Sequence, residues 1–364
     1  MIDGIPVVDA VVHAYDFSPS NYASDIGQWV AMVAYGGSAA SNTPATAAAF
    51  PDQDGYLRDW SMEETANQVF LESDNDLAVH HALPLFHAFH DGGCSYEKTL
   101  EAKERWPGRF ITYAGVDPIQ GAAALEMLEM QVEALDPVGV KLYPDGWIGN
   151  ELRSWTMDDP EVAYPIFERA QKLGLKVVAV HKAVPLGPVP MAPYRVDDID
   201  RAARDFPNLA FEIVHGGMGF LEETAWQLAR FPNIYVNLEI TSSLLGRRSP
   251  AFAQALATMM QFGGPIAAER IMWGTGSMGF HPQQYIEKFV RDFEFSDEIL
   301  AWSGLEQITV DTKRKILAEN YAKMIGLDLE QRLSEIADDE FSRRREANGG
   351  IFAAYSTTAV AANA

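Results

Sequence analysis

A chain of 364 residues that is 48% hydrophobic and 11% aromatic can bury a large core, and one α/β barrel with added segments accounts for its length. Its 28 basic residues against 51 acidic ones give a net charge of −23, which repels nucleic-acid phosphates and anionic membrane surfaces. Cys94 is the single cysteine, so no internal disulfide forms, and no apolar run has membrane-spanning length. A cytoplasmic setting is expected, with no nucleic-acid or membrane partner.

Eight short β-branched runs end in polar or small residues and alternate with helix-like segments: Ile5–Val12, Leu77–Leu83, Phe110–Gly115, Val138–Leu142, Lys176–His181, Ala210–His215, Ile234–Leu238 and Ile271–Gly274. Between them Ala122–Leu135, Ala163–Leu173, Val196–Phe206 and Leu221–Phe231 repeat apolar residues at three- and four-residue intervals, predicting amphipathic helices. Pro207-Asn208-Leu209 and Pro232-Asn233-Ile234 each stop a helix and launch a strand. The alternation predicts a (β/α)8 barrel over residues 1–326.

Two segments exceed a minimal barrel. Residues 14–76, carrying Trp29, Met32, Tyr35 and Trp60, are too long for a β-to-α loop and predict a lid or interface over the barrel mouth. Residues 327–364 form a charged helix over Leu329–Ala347 and a small, apolar stretch from Gly349, expected to dock on a partner subunit or to stay mobile.

Strands of a β/α barrel bring their carboxyl ends to one face, so His13, His181 and His215, closing the first, fifth and sixth runs, converge there. Three neutral imidazoles can hold a divalent ion and leave a position for substrate or water. Glu239 ends the seventh run beside Thr241 and Ser242, and Lys141 closes the fourth. Lys141 either pairs with an acid such as Glu239 or works in the site. His81 and His281 reach the same face as second-metal ligands, catalytic groups or substrate contacts, while His80 faces the helices and His87 and His90 are structural. Cys94 lies in a turn-like stretch with no base assigned to it. The proline-rich Val184–Tyr194 is either a pocket wall or a rigid connection.

Val8-Asp9-Ala10-Val11-Val12-His13, Phe110–Pro118, Gly139-Val140-Lys141-Leu142-Tyr143-Pro144, Val180-His181 and Val214-His215-Gly216-Gly217 follow one pattern in order. The chain resembles the amidohydrolase-related family that includes aminocarboxymuconate-semialdehyde decarboxylase, from about Ile5 to Gly326. That family carries Asp-x-His-x-His on its first strand and Gly-Ser/Thr-Asp on its eighth, whose aspartate serves a metal-bound water. Here Val11 replaces the first histidine and Gly276 the aspartate. A valine cannot coordinate and a glycine cannot act as a base.

The exchange is similar to a divergent branch with a dinuclear iron or manganese–iron centre that hydroxylates aliphatic C–H bonds with O2, acting on 2-aminoisobutyrate or a diterpenoid thioester. That resemblance implies His13, His181, His215 and Glu239 as metal ligands, Lys141 and His281 as catalytic residues, and His81, Thr241 and Ser242 as substrate contacts. In dinuclear relatives the lysine of the fourth strand is carbamylated and bridges two metals. A small carboxylic or amino acid and O2 would be the partners. Two alternatives stand beside it: a mononuclear zinc or manganese hydrolase or nonoxidative decarboxylase, and a catalytically reduced subunit supporting a related chain in a hetero-oligomer. A homo-oligomer is equally compatible.

Overall fold

The computed structural model describes residues 1–148, 151–187 and 189–358. Eight parallel strands form one sheet in the order β1 (Val8–Val12), β2 (Leu77–His81), β3 (Phe110–Gly115), β4 (Gly139–Leu142), β7 (Val177–His181), β8 (Ala210–Val214), β9 (Ile234–Asn237) and β10 (Ile271–Met272). Each predicted run holds one of these strands, and the (β/α)8 class stands. The strands are short and buried on both faces, as continuous runs of valine, isoleucine and alanine require. A hairpin that periodicity did not reveal, β5 (Asp145–Ile148) with β6 (Glu151–Ser154), follows β4.

The sheet closes where β1 returns to β10. Ala10 N donates to Trp273 O (3.0 Å) and Gly276 N to Val11 O (3.0 Å), and Val12 bridges Ser277. The buried carboxylate of Asp9 accepts from Thr275 N (2.9 Å), Val11 N (3.2 Å) and the Thr275 hydroxyl. Side-chain bonds thus complete a seam that β10, only two residues long, could not hold by its ladder alone.

The main core lies between sheet and helices, with Leu128, Phe167, Phe211, Leu256 and Phe289 among its buried members. Inside the barrel a polar network lies under the site. Tyr113 Oη donates to Glu212 Oε2 (3.0 Å), Asn237 Nδ2 to Glu212 Oε1 (2.6 Å), and Tyr321 Oη lies 3.2 Å from Tyr113 Oη.

Within residues 14–76, a helix over Asp25–Ser41 crosses the barrel mouth, and Trp29, Val33 and Ser38 line the cavity below it. Ser61 then caps the helix Met62–Phe70, its hydroxyl accepting from Glu64 N while Glu64 reaches back to Ser61 N. That helix is the ordinary crossover to β2.

The tail departs from expectation, because residues 349–358 dock on the chain's own barrel; residues 359–364 lie outside the described residues. Two helices, Leu329–Glu335 and Glu340–Asn348, replace the single predicted one and are pinned by Arg109 to Asp339 and by Arg345 to Asp74. Beyond them Phe352 N donates to Leu71 O (2.8 Å), and Tyr355 N and Thr357 N each donate to a Glu72 carboxylate oxygen (2.7 Å). The reason is Glu72 itself. Its buried carboxylate needs donors that its own surroundings supply only in part through His281, and the tail brings the rest. Among the described residues no helix is long and apolar enough to cross a membrane.

Tyr355 is buried between His281 and Phe50. Tyr355→Ala is expected to cost about 3 kcal/mol, as truncation of a buried aromatic does, and to lower the thermal midpoint by several degrees. An unchanged midpoint in differential scanning calorimetry would show that the tail adds nothing.

Candidate functional site

The carboxyl ends of the strands open on a cavity of about 260 Å³ lined by His13, Lys141, Tyr143, His181, His215 and Glu239 below and by the Asp25–Ser41 helix above. His13 leaves β1 just past the seam. Its Nδ1 faces His81 O (3.1 Å), and since a carbonyl only accepts, that nitrogen carries the proton and Nε2 is a bare lone pair. His181 repeats the pattern, with Nε2 donating to Val184 O (2.6 Å) and Nδ1 left bare. In His215 it is Nδ1 that lies against the Glu239 carboxylate in an ion-pair contact whose angle falls short of a hydrogen bond.

These constraints bring His181 Nδ1 and His215 Nε2 to 2.8 Å from each other. A neutral His215 protonated at Nε2 donates to His181 Nδ1; in the other tautomer both nitrogens are bare and can face a cation. Burial pushes all three imidazoles well below their ordinary pKa. The Lys141 charge adds to this in each, as the neighbouring His215 does at His181. The rings are therefore neutral, the state in which imidazole binds a metal.

A histidine that gives its second N–H to a carbonyl or carboxylate is oriented as metal-binding histidines are. His13, His181 and His215, with Glu239, thus fit a divalent ion by the chemistry of their donors. Among the described residues no three His, Cys, Asp or Glu side chains are already drawn into a cage; His181 and His215 are paired and His13 stands apart.

Glu239 fills the space beside Gly276. A Cβ built on Gly276 would meet Glu239 Oε1 before any other atom, so the carboxylate from β9 occupies the volume that a side chain at position 276 would take. Gly276 also has φ +71°, which a β-carbon strains. Burial raises the Glu239 pKa, opposed by Lys141; burial likewise lowers Lys141 and raises Glu212, with their mutual attraction working the other way. Lys141 is 1% exposed, and among the described residues its ammonium makes no hydrogen bond or ion pair. It sits 5.3 Å from the Tyr143 ring centroid and borders the cavity.

Backbone strain marks the same place. His215 (φ 74°) and Ile240 (φ 59°) adopt left-handed conformations unusual for non-glycine residues, the second β-branched. Gly216 and Gly217 continue the turn, and a Cβ on Gly217 would collide with the Thr224 side chain.

Other sequence candidates lie elsewhere. The Thr241 hydroxyl donates to His215 O (2.8 Å) and the Ser242 hydroxyl to Gly274 O (2.8 Å), so both are spent on nearby carbonyls rather than on the cavity. His281 is drawn away to Glu72 (3.1 Å) and Tyr355. His81 lies under the site against Tyr113, donating Nε2–H to Ala10 O (2.9 Å), and does not line this cavity. His80 faces the helix Tyr96–Arg105 through Thr99. Cys94 is 3.7 Å from His80 Nε2, but burial raises its thiol to about 12, so it is not a nucleophile. Val184, Pro185 and Leu186 of the proline-rich stretch do line the cavity, whereas Pro188 lies outside the described residues. Lys182, paired with Asp198 and bonded to Pro193 O (2.6 Å), fastens that wall. Sequence reasoning passed over Tyr143, which stacks on His181 at 4.6 Å, and Asp9, though residues 9, 11 and 13 share one strand face.

A family described as amidohydrolase matches residues 61–327. The chain belongs to the amidohydrolase family. No match was found among curated proteins. Among solved structures it is similar to an uncharacterised TIM-barrel protein from Bordetella bronchiseptica (17% identity, 91% of this chain and 100% of that one, TM-score 0.58). It is also similar to 2,6-dihydroxybenzoate decarboxylase from Rhizobium (16%, 89% and 99%, 0.52). A third is 5-carboxyvanillate decarboxylase from Novosphingobium aromaticivorans, which has bound manganese (14%, 89% and 98%, 0.52). At these identities the likeness is one of fold.

Gly276→Ala should displace Glu239 and destabilise the protein by about 1–2 kcal/mol from left-handed strain alone, while the same change in a Glu239→Ala background costs less. Equal costs in denaturant titrations would show that the two positions do not share space. Burial, with Lys98, lowers the pKa of His80 to about 3, against about 6.5 for a free imidazole. The unfolded chain then takes up a proton that the native chain refuses, so stability falls as pH drops below about 6.5. His80→Gln should flatten the fall in thermal midpoint between pH 7 and pH 4.5; a slope equal to that of the parent protein would contradict this.

Proposed function

We propose that this chain is a metal-dependent enzyme that hydrolyses or nonoxidatively decarboxylates a small carboxylic acid, with His13, His181, His215 and Glu239 holding a single zinc or manganese ion. The observation that carries this reading is the convergence of His181 Nδ1 and His215 Nε2, 2.8 Å apart, with His181 held at its other nitrogen by Val184 O and His215 Nδ1 lying against Glu239. The manganese in a decarboxylase of the same fold supports it. A divalent ion bound there would supply Lewis-acid polarisation of the substrate or a water of lowered pKa.

The residues have distinct tasks. His13 and His181 are oriented by His81 O and Val184 O, His215 lies against Glu239, and burial keeps all three neutral. Glu239 would supply a carboxylate ligand from the volume beside Gly276, where the family's aspartate would stand. Lys141 places a positive charge at the cavity floor that favours an anionic substrate. The Asp25–Ser41 helix excludes water from above.

A second reading, hydroxylation of an aliphatic C–H bond by O2 at a dinuclear iron or manganese–iron centre, is favoured by one feature, the carboxylate ligand added by Glu239 where Val11 removes an imidazole. Histidine–carboxylate sets with open positions suit oxygen activation.

Metal analysis of the purified protein, combined with O2 uptake in the presence of a reductant, separates these readings. One zinc or manganese ion per chain without O2 dependence supports the first, and two iron or manganese ions with substrate-coupled uptake would replace it with the second. A chain that takes up no metal and needs a related subunit for activity would indicate a supporting role in a hetero-oligomer. Glu239→Ala should lose the metal and the activity together; full metal content in that variant would refute Glu239 as a ligand.

A further inference from the structure

Above its floor the cavity is hydrocarbon. Tyr15 and Phe17, stacked at 4.6 Å, form one wall with Phe89, while Trp29, Val33 and Leu186 stand around the rest. Two of the hydroxyls that reach it are engaged, since Ser38 Oγ and Tyr56 Oη lie 2.9 Å apart and share Gly279 O as an acceptor; the phenols of Tyr15 and Tyr143 also border it. The histidine N–H groups are held by the protein. Among the described residues the one lysine or arginine that borders the cavity is Lys141, 1% exposed, attracted by Glu239 and Glu212 but in hydrogen-bond or ion-pair contact with neither. A buried ammonium in such surroundings calls for an anion, and a substrate carboxylate is the group of the right charge and size. Trp29 and Val33 remain 44% and 49% exposed at the mouth, an unusual fate for two large apolar side chains facing one opening.

We propose that the substrate is an apolar monocarboxylate whose carboxylate pairs with Lys141 and whose unhydroxylated chain or ring runs between Phe17 and Leu186 toward Trp29 and Val33. The proposal rests on the reading of this cavity as an acid-binding active site, and it narrows the acid. Ring hydroxyls lying among Phe17, Phe89, Leu186 and Trp29 would be buried against hydrocarbon, and an α-ammonium would lie beside the Lys141 charge, so phenolic acids and amino acids are disfavoured. The titled substrate of the Rhizobium decarboxylase, a dihydroxybenzoate, is of the disfavoured kind. At about 260 Å³ the cavity suits a short chain or one ring, below the range of drug-sized pockets.

The test is isothermal titration calorimetry of the full-length protein, as purified and after metal loading, with octanoate, 3-phenylpropionate, 2,6-dihydroxybenzoate, leucine and octanol. Octanoate and 3-phenylpropionate should bind at least tenfold more tightly than dihydroxybenzoate or leucine. Lys141→Met should weaken octanoate at least tenfold and leave octanol within twofold. Val33→Asp, at an exposed position that tolerates the change, should weaken octanoate at least fivefold and serves as the readout if the Lys141 variant does not fold. Preference for the hydroxylated or amino acid, or octanoate binding untouched by both variants, overturns the proposal. If no metal is taken up yet octanoate still binds through Lys141, the metal-dependent function falls and the assignment of ligand class stands.

Discussion

The structure depends on the seam between β1 and β10. A parallel barrel must return its last strand to its first, and here the last strand is two residues long. Backbone bonds from Ala10, Gly276 and His13 across to the other strand carry the closure, and the buried Asp9 carboxylate adds two bonds to Thr275. Burial raises the pKa of Asp9 to about 7, with the Thr275 bonds opposing that rise. The seam is therefore both a structural joint and a charge-sensitive one. It also fixes the relation of His13, one residue beyond β1, to Gly276 on the other side, and so defines the edge of the site into which Glu239 reaches.

From that joint the site follows by constraint. His13 and His181 each have one nitrogen tied to a neighbouring carbonyl, which selects the tautomer and leaves the other nitrogen bare, while His215 lies between Glu239 and His181. Their neutrality follows from burial, which excludes water that would otherwise stabilise the imidazolium. The same burial works on Lys141, Glu239 and Glu212; Lys141 and Glu239 oppose it by attracting each other, and Glu212 chiefly through the bonds it accepts from Asn237 and Tyr113. Left-handed backbone at His215 and Ile240 holds the two positions that flank this pairing in conformations the sequence would not choose alone.

The added segments serve the same end. The helix Asp25–Ser41 supplies an apolar roof, the Val184–Leu186 stretch a stiff wall, and the carboxyl-terminal tail a strap whose backbone donors satisfy Glu72. Tyr355 in turn packs on Phe50, and Phe50 on Tyr56 in the cavity wall. A continuous set of aromatic contacts thus joins the tail to the site.

The eight strands, most helices and the three histidines at strand ends were legible because they are written in local period and in strand-end position, which a parallel barrel converts directly into proximity. Glu239 was legible too, as a carboxylate at such an end. What the chain could not declare locally is where long-range partners pull a side chain. His281 follows β10 as a site residue would, yet the unsatisfied carboxylate of Glu72 claims it; Thr241 and Ser242 stand beside Glu239, yet their hydroxyls turn to the nearest carbonyls. The tail has no helical period and reads as free until Glu72 offers it acceptors. That Glu239 fills the volume beside Gly276 is likewise a matter of tertiary packing, not of spacing. Sequence alone determined the barrel and its histidines, since both follow from periodicity; the tertiary structure decided their partners, since a buried polar group is satisfied by whatever the fold brings within about 3 Å.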